Sequence, residues 1–237
     1  MKDYFINYVV ISGPKKEKEE FINNVSSFRN SFDFNNIYPI PDLLMIPSSF
    51  EENLGRRYIL AKAEPVIRPE DIGIVKCFEG HSKNEKAEIL RLGRLALRNI
   101  IEYGYATHTE WAAANWGTEW NSIGSVRDED QYWFKTKDAA PIGVYSKLIE
   151  EVPELKFTWI FRELGSKTKY EFIMKDGVVT TRKTKKVMPE FKVQEPTYAN
   201  AIGLDMSKAV KKPFGVGMPL IPEAEFADAY LDYDELD

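Results

Sequence analysis

The chain has 237 residues, 43% of them hydrophobic and 29% charged, a composition that excludes a wholly disordered chain. Its 32 basic and 37 acidic side chains leave a net charge of -5; the protein as a whole is therefore not built to capture the nucleic-acid backbone non-specifically, although a local basic patch could do so. Cys77 is the only cysteine, so an intramolecular disulfide and a cysteine-built zinc site are both ruled out and a cytosolic setting is expected.

Tyr4 to Ser12 is rich in aromatic and β-branched residues and reads as a strand, stopped by Gly13-Pro14. From Lys15 to about Phe28, Phe21, Ile22, Val25 and Phe28 recur at helical spacing, with charged residues in the first turns and on the opposite side. Phe32 to Tyr38 is read as a second strand, ended by Pro39 and Pro41. Residues 41–81 hold four prolines among short apolar pieces and predict loops and short helices. Ser82 with Glu85 fits a capping box, and the broad apolar surface from Ile89 to Ile101, closed by Gly104, predicts a long helix. So wide a surface should be wedged between other parts, and covering one face of the sheet is the simplest placement. A short helix from Thr109 to Asn115 follows.

Gln131 to Lys137 reads as a strand, Pro141 to about Pro153 as a helix, Leu155 to Leu164 as an alternating strand and Lys169 to Lys175 as its hairpin partner. Two split β-α-β halves predict an α+β fold: a ferredoxin-like βαββαβ antiparallel sheet, with both helices on one face. A helical insertion at about 41–118 would separate the second and third core strands. The expected organisation is one domain over 1–177 and an irregular extension over 178–237, basic at first and acidic at its end. The N-terminus has no sustained apolar stretch or small-residue cleavage site, and no apolar run nears the roughly 20 residues needed to span a bilayer. The expectation is a cytoplasmic protein with no membrane association.

Three tryptophans, Trp111, Trp116 and Trp120, fall in the stretch GRLALRNIIEYGYATHTEWAAANWGTEWNS from Gly93 to Ser122. Interleaved with Asn115, Gly117, Thr118 and Asn121, they suit a tight turn pinned to the sheet, with Asn and Thr side chains serving the buried indoles. The alternative is a groove for a ligand or peptide. This stretch resembles the YubB-like family of phage and plasmid proteins, which share the helix, the Tyr-Gly-Tyr and the Asn-Trp-Gly-Thr-x-Trp-Asn order. The similarity extends to INYVVISGPKKEKEEFINNV, FDFNNIYPIP and FKTKDAAPIGVYSKLIEEVPELKFTWIF, and so covers most of residues 4–176. It departs at Lys137-Asp138, where the family tends to carry an aromatic residue, and it ends near residue 177. The resemblance implies a ferredoxin-like domain and a mobile-element origin, placing a phage-encoded chain in the host cytoplasm; it brings no activity and no catalytic residues.

No complete catalytic set is visible. His81 and His108 lack metal-ligand spacing and suit surface or capping roles; His108 with Glu110 could form an acid/base pair only if the fold joins them. Cys77 reads as a small buried hydrophobe. There is no phosphate-binding loop, Gly215 and Gly217 make only part of a dinucleotide fingerprint, and the run Asp128, Glu129, Asp130 could hold a cation but more simply forms a solvated loop. No cofactor or metal is expected. The function predicted is therefore a non-enzymatic binding protein of a phage or mobile element, directed at a host or element-encoded protein and serving, for instance, to counter a defence system. Its contact residues would be Trp111, Trp116 and Trp120, or the acidic, aromatic-dotted end: Glu223, Glu225, Phe226, Asp228, Tyr230, Asp232, Tyr233 and Asp234. The alternative is an RNA- or DNA-binding module that stacks bases on sheet aromatics such as Trp133 and Trp159 and neutralises phosphates with Arg182, Lys183, Lys185 and Lys186.

Overall fold

β1, Tyr4–Ser12, is doubly apolar: Val9 and Ile11 point to one side, Ile6 and Tyr8 to the other, and all four are buried. Such a strand belongs at the centre of a sheet. In the computed structural model, which describes residues 4–46, 48–175 and 177–189, it does lie there. The remaining strands are β2, Ile123–Asp128; β3, Gln131–Lys137; β4, Lys156–Glu163; β5, Tyr170–Lys175; and β6, Val178–Lys183. They form one antiparallel sheet in the order β2-β3-β1-β4-β5-β6. The acidic contact residues expected from Glu223 to Asp234 lie outside the described residues.

After β1, the Pro14 carbonyl accepts from the Lys18 N–H and opens α1, Lys15–Val25. α1 ends three residues before Phe28, because Ser27 turns the chain by accepting from the Arg29 and Asn30 N–H groups, and Phe28 is left fully exposed. Residues 32–38 are not a strand. Phe32 and Phe34 are both fully buried, but the backbone around them is held by side chains: Ser125 Oγ accepts from the Ser31 and Phe32 N–H groups and Asn121 Oδ1 from that of Phe34. Asp33 caps the short helix α2, Phe34–Ile37, through the Asn35 N–H. The helical insertion therefore precedes the second strand in the chain instead of following it.

That insertion comprises α3, Phe50–Ala63; α4, Ile72–Glu79; α5, Lys83–Tyr103; and α6, His108–Asn115. The α3 helix is longer than the prolines in this part of the sequence suggested; Pro65 lies just beyond its C-cap, Glu64. α5 has the predicted capping box at Ser82 and Glu85 and ends at Gly104 in the left-handed conformation, φ +80°. It does not cover the sheet. Its Ile89 packs with Leu54 of α3 and Phe78 of α4 in a separate small core. Gly55 and Gly93 let the α3 and α5 backbones touch: a Cβ on Gly55 would overlap the Ile89 carbonyl oxygen, and one on Gly93 the Gly55 backbone. Two glycines in register offer α5 a closer partner than a pleated sheet could.

α7, Ile142–Glu151, starts after Pro141 and lies with α1 on one face of the sheet. Between these helices and the sheet sits an aromatic core. Phe32 is stacked on Phe134 at 5.1 Å, with Tyr132 at 5.0 Å and Trp159 at 5.8 Å edge-on to it; Trp159 in turn meets Tyr145 and Phe172. β6 revises the expected boundary at 177, since Val178 to Lys183 pairs with β5 throughout its length. The signal was the Asp176-Gly177 pair followed by β-branched Val178, Val179, Thr180 and Thr181, a hairpin pattern. No described helix is long and apolar enough to cross a membrane.

Candidate functional site

The tryptophan stretch divides its three indoles between core and surface. Thr107 caps α6, which carries Trp111; Trp116 closes the helix and Gly117, φ +86°, turns the chain. Trp111 is 6% exposed and Trp116 2%. The two meet edge-to-face at 5.9 Å, and the Trp116 indole N–H donates to the Tyr38 carbonyl at 2.9 Å. Both belong to the core, so neither is available to a partner. The turn is locked from below, where the Gly143 N–H donates to the Trp116 carbonyl at 3.1 Å and a Cβ on Gly143 would overlap the Asn115 carbonyl oxygen.

Trp120 is different: it remains 54% exposed. It stands beside a groove of about 480 Å³ whose walls include Asn30, Asp33, Asn35, Met45, His108, Glu119 and Asn121. Polar side chains fix this floor. Asn121 Nδ2 donates to Asp33 Oδ1 at 2.6 Å, Asn35 Oδ1 accepts from the Ile40 N–H at 2.8 Å, and Thr118 Oγ1 donates to the Lys137 carbonyl at 2.7 Å. Met45 is also exposed and offers a flexible, polarisable wall. The Lys137 ammonium lies 5.5 Å from the Trp120 ring centre, within cation–π range, and pairs with Glu119 at 3.0 Å and Asp138 at 3.2 Å. Hydrogen bonds to Glu119 first and Asp138 second raise the Lys137 pKa, keeping it charged. The charged pair Lys137-Asp138 thus makes its own contact with this edge.

The groove is also tied to the insertion by a polar network that sequence reasoning missed. Buried Asn99 donates to the carbonyls of Leu43 at 3.0 Å and Ala106 at 3.1 Å; Ser48 and Thr107 share a hydrogen bond of 2.7 Å. Arg56 bridges Glu52 at 3.3 Å and Glu110 at 3.6 Å. Burial pushes the Glu52 carboxyl up from the ordinary range, Arg56 partly opposing it. The available signal was two capping patterns, Ser49 with Glu52 and Thr107 with Glu110, which mark the starts of α3 and α6.

His108 and Glu110 do not form an acid/base pair. His108 Nδ1 contacts the Ile46 carbonyl at 2.9 Å, while Glu110 accepts from the Ala106 N–H at 2.8 Å and faces Arg56. His81 contacts the Cys77 carbonyl at the end of α4. Cys77 is exposed instead of buried, because Phe78 is the α4 residue turned into the small core. Asp128, Glu129 and Asp130 form the β2–β3 turn; Asp130 pairs with Lys18, and the Glu129 carbonyl accepts from Arg127 Nε at 2.8 Å. Among the described residues, no group of three or more His, Cys, Asp or Glu side chains could hold a metal ion.

The residues proposed for nucleic acid are not brought together. Trp159 is fully buried under α7, its indole N–H donating to Asn7 Oδ1 at 3.1 Å, and cannot stack on a base. Phe157, Phe161, Tyr170 and Phe172 share its helix-covered face. Trp133 is on the other face, packed on Tyr8 at 5.1 Å. Arg182 and Lys186 are committed internally to Glu171, a carboxylate only 3% exposed; Lys186 contacts it at 2.7 Å, and Lys186 then Arg182 hold its pKa below the usual range. Lys183 and Lys185 are exposed.

No family model matches the chain, and no curated protein does. Among solved structures it is similar to the protein api92 from Yersinia pseudotuberculosis, of the family-model DUF1281, with 10% identity and a TM-score of 0.38 over 80% of this chain and 100% of that one. Nothing about fold or function is carried over from a likeness at that level.

Proposed function

We propose that this chain is a non-enzymatic binding protein, built on a ferredoxin-like βαββαβ core extended by β5 and β6, that recognises a protein partner through the groove beside Trp120. The observation that carries the reading is the contrast within one turn: Trp111 and Trp116 are buried, while Trp120 keeps 54% of its surface exposed above a groove with a fixed polar floor. A large indole held in place by a lysine, itself fixed by two carboxylates, is pre-organised in the manner of an interface anchor. The succession β1-α1-β2-β3-α7-β4, with strand order β2-β3-β1-β4, supports the ferredoxin-like core. The resemblance of Gly93 to Ser122 to the YubB-like family supports a mobile-element setting, in which the target would be a host or element-encoded protein and countering a defence system one use of such binding.

The test is affinity capture from nuclease-treated host lysate with the intact chain and with Trp120→Ala, both checked by thermal melting. A protein captured by the intact chain and lost with a variant of unchanged melting temperature is the expected result. Capture indifferent to Trp120, or only of nuclease-sensitive material, would overturn the reading.

A further inference from the structure

α5 buries one side of its surface and leaves an ordered apolar row on the other. Its buried residues are Ile89, Leu92, Gly93, Ala96 and Asn99, which meet α3, α4 and the carbonyls of Leu43 and Ala106. Half a turn from Leu92 and Asn99 runs a row of Ala87, Leu90, Arg94, Leu97 and Ile101, spaced by three, four, three and four residues. That alternation is the seam of a coiled coil. Ala87, Arg94 and Ile101 are exposed and Leu90 and Leu97 half-buried; Ile101 keeps 86% of its surface open. One apolar stripe is enough to pack a helix onto its own fold, and α5 carries a second.

The charges beside this row are of one sign. Arg91 and Arg98 follow one flank and Arg94 stands within the row, while the other flank, Lys86, Gly93 and Ile100, holds no carboxylate. Arg91 pairs with Glu88 at 2.7 Å; among the described residues Arg94 and Arg98 have no ion pair or side-chain hydrogen bond. We propose that the row docks an acidic amphipathic helix of another protein, whose apolar residues interleave with Leu90, Leu97 and Ile101 and whose carboxylates meet Arg94 and Arg98. A second copy of this chain does not fit: parallel pairing sets Arg94 on Arg94, and antiparallel pairing lays one arginine flank along the other. A nucleic-acid backbone would engage the arginines and leave Leu97 and Ile101 without a partner. None of the row lines the Trp120 groove, so the two sites stand or fall independently.

The probe is an acetylated, amidated peptide of three heptads, with isoleucine and leucine along its seam and glutamate on both flanks, compared with the same peptide bearing lysine on the flanks. Like charges keep each peptide from pairing with itself. Calorimetric titration of the full chain should show saturable binding of the glutamate peptide and at least about tenfold weaker binding of the lysine one. Ile101→Gln, and separately the pair Arg94→Gln and Arg98→Gln, should each lose about tenfold in affinity with an unchanged melting temperature. Two controls should bind like the unaltered chain: Val66→Gln, at another open apolar residue, and the pair Lys167→Gln and Lys175→Gln, which removes the same charge elsewhere. No binding at about 1 mM peptide, equal losses in the controls, binding indifferent to Ile101, a lowered melting temperature in either test variant, or tighter binding of a short DNA duplex or of anionic phospholipid vesicles through Arg94 and Arg98 would each overturn the proposal.

Discussion

The sheet core and the helical insertion solve the same packing problem with opposite materials. The sheet is filled with rings: Phe32, Tyr132, Phe134, Trp159 and Phe172 interlock between the strands and α1 and α7. Within the insertion, α3, α4 and α5 are closed by backbone contact, with Gly55 against Gly93, and by a small buried cluster of Leu54, Phe78 and Ile89. Their buried carboxylates differ in the same way. Glu171 in the sheet is met by two cations and its pKa is lowered, whereas Glu52 in the insertion is dominated by burial and its pKa is raised. A region that excludes water by volume tolerates large rings; one that depends on backbone contact tolerates no added atoms.

The sharpest way to break the comparison is to empty the ring lattice. Phe32→Ala should cost about 3–5 kcal/mol in urea unfolding, because the surrounding Phe134, Tyr132 and Trp159 are held by the sheet and cannot collapse onto the void. A loss under about 1 kcal/mol would mean that this core is looser than its ring contacts imply. Next in size, Gly93→Ala should cost about 2–3 kcal/mol by forcing α5 away from α3. The same change at exposed Gly73, where a Cβ meets nothing, should be neutral or stabilising on the helix-propensity scale; equal effects at the two glycines would refute the contact.

The two carboxylates predict opposite responses to acid. Glu171, with a lowered folded pKa, contributes stability that is complete above the ordinary glutamate range and is lost as pH falls through its folded value. Glu52, with a raised folded pKa, carries a penalty above that value, relieved as pH falls through it. Unfolding free energies at about pH 7 and about pH 4 should therefore differ less in Glu171→Gln than in the unaltered chain, and more in Glu52→Gln. Both partners of Glu171 are more than half exposed, so Glu171→Gln should cost only about 1 kcal/mol at neutral pH. Smallest of all, Trp120→Ala should leave stability within about 0.5 kcal/mol, in contrast to Trp116→Ala, which removes a 2% exposed ring and its hydrogen bond to Tyr38.

Much of the architecture was legible because it depends on local signals. The strand at Gln131 to Lys137 and the capping box and Gly104 stop of α5 follow from alternation, capping chemistry and a left-handed φ that glycine permits, none of which needs a distant partner. The failures share a cause. Phe32 and Phe34 alternate as a strand would, yet Ser125 and Asn121, some ninety residues away, take their backbone hydrogen bonds. The apolar breadth of α5 announced a buried helix but not its neighbour, because glycine carries no hydrophobic signal and the Gly55–Gly93 contact exists only once two helices meet. Likewise, the sequence by itself marked the tryptophan turn and the basic cluster as features of note. Only the tertiary structure separated buried Trp111 and Trp116 from exposed Trp120 and committed Arg182 and Lys186 to Glu171, since burial and charge pairing belong to the packed chain and not to the order of its residues.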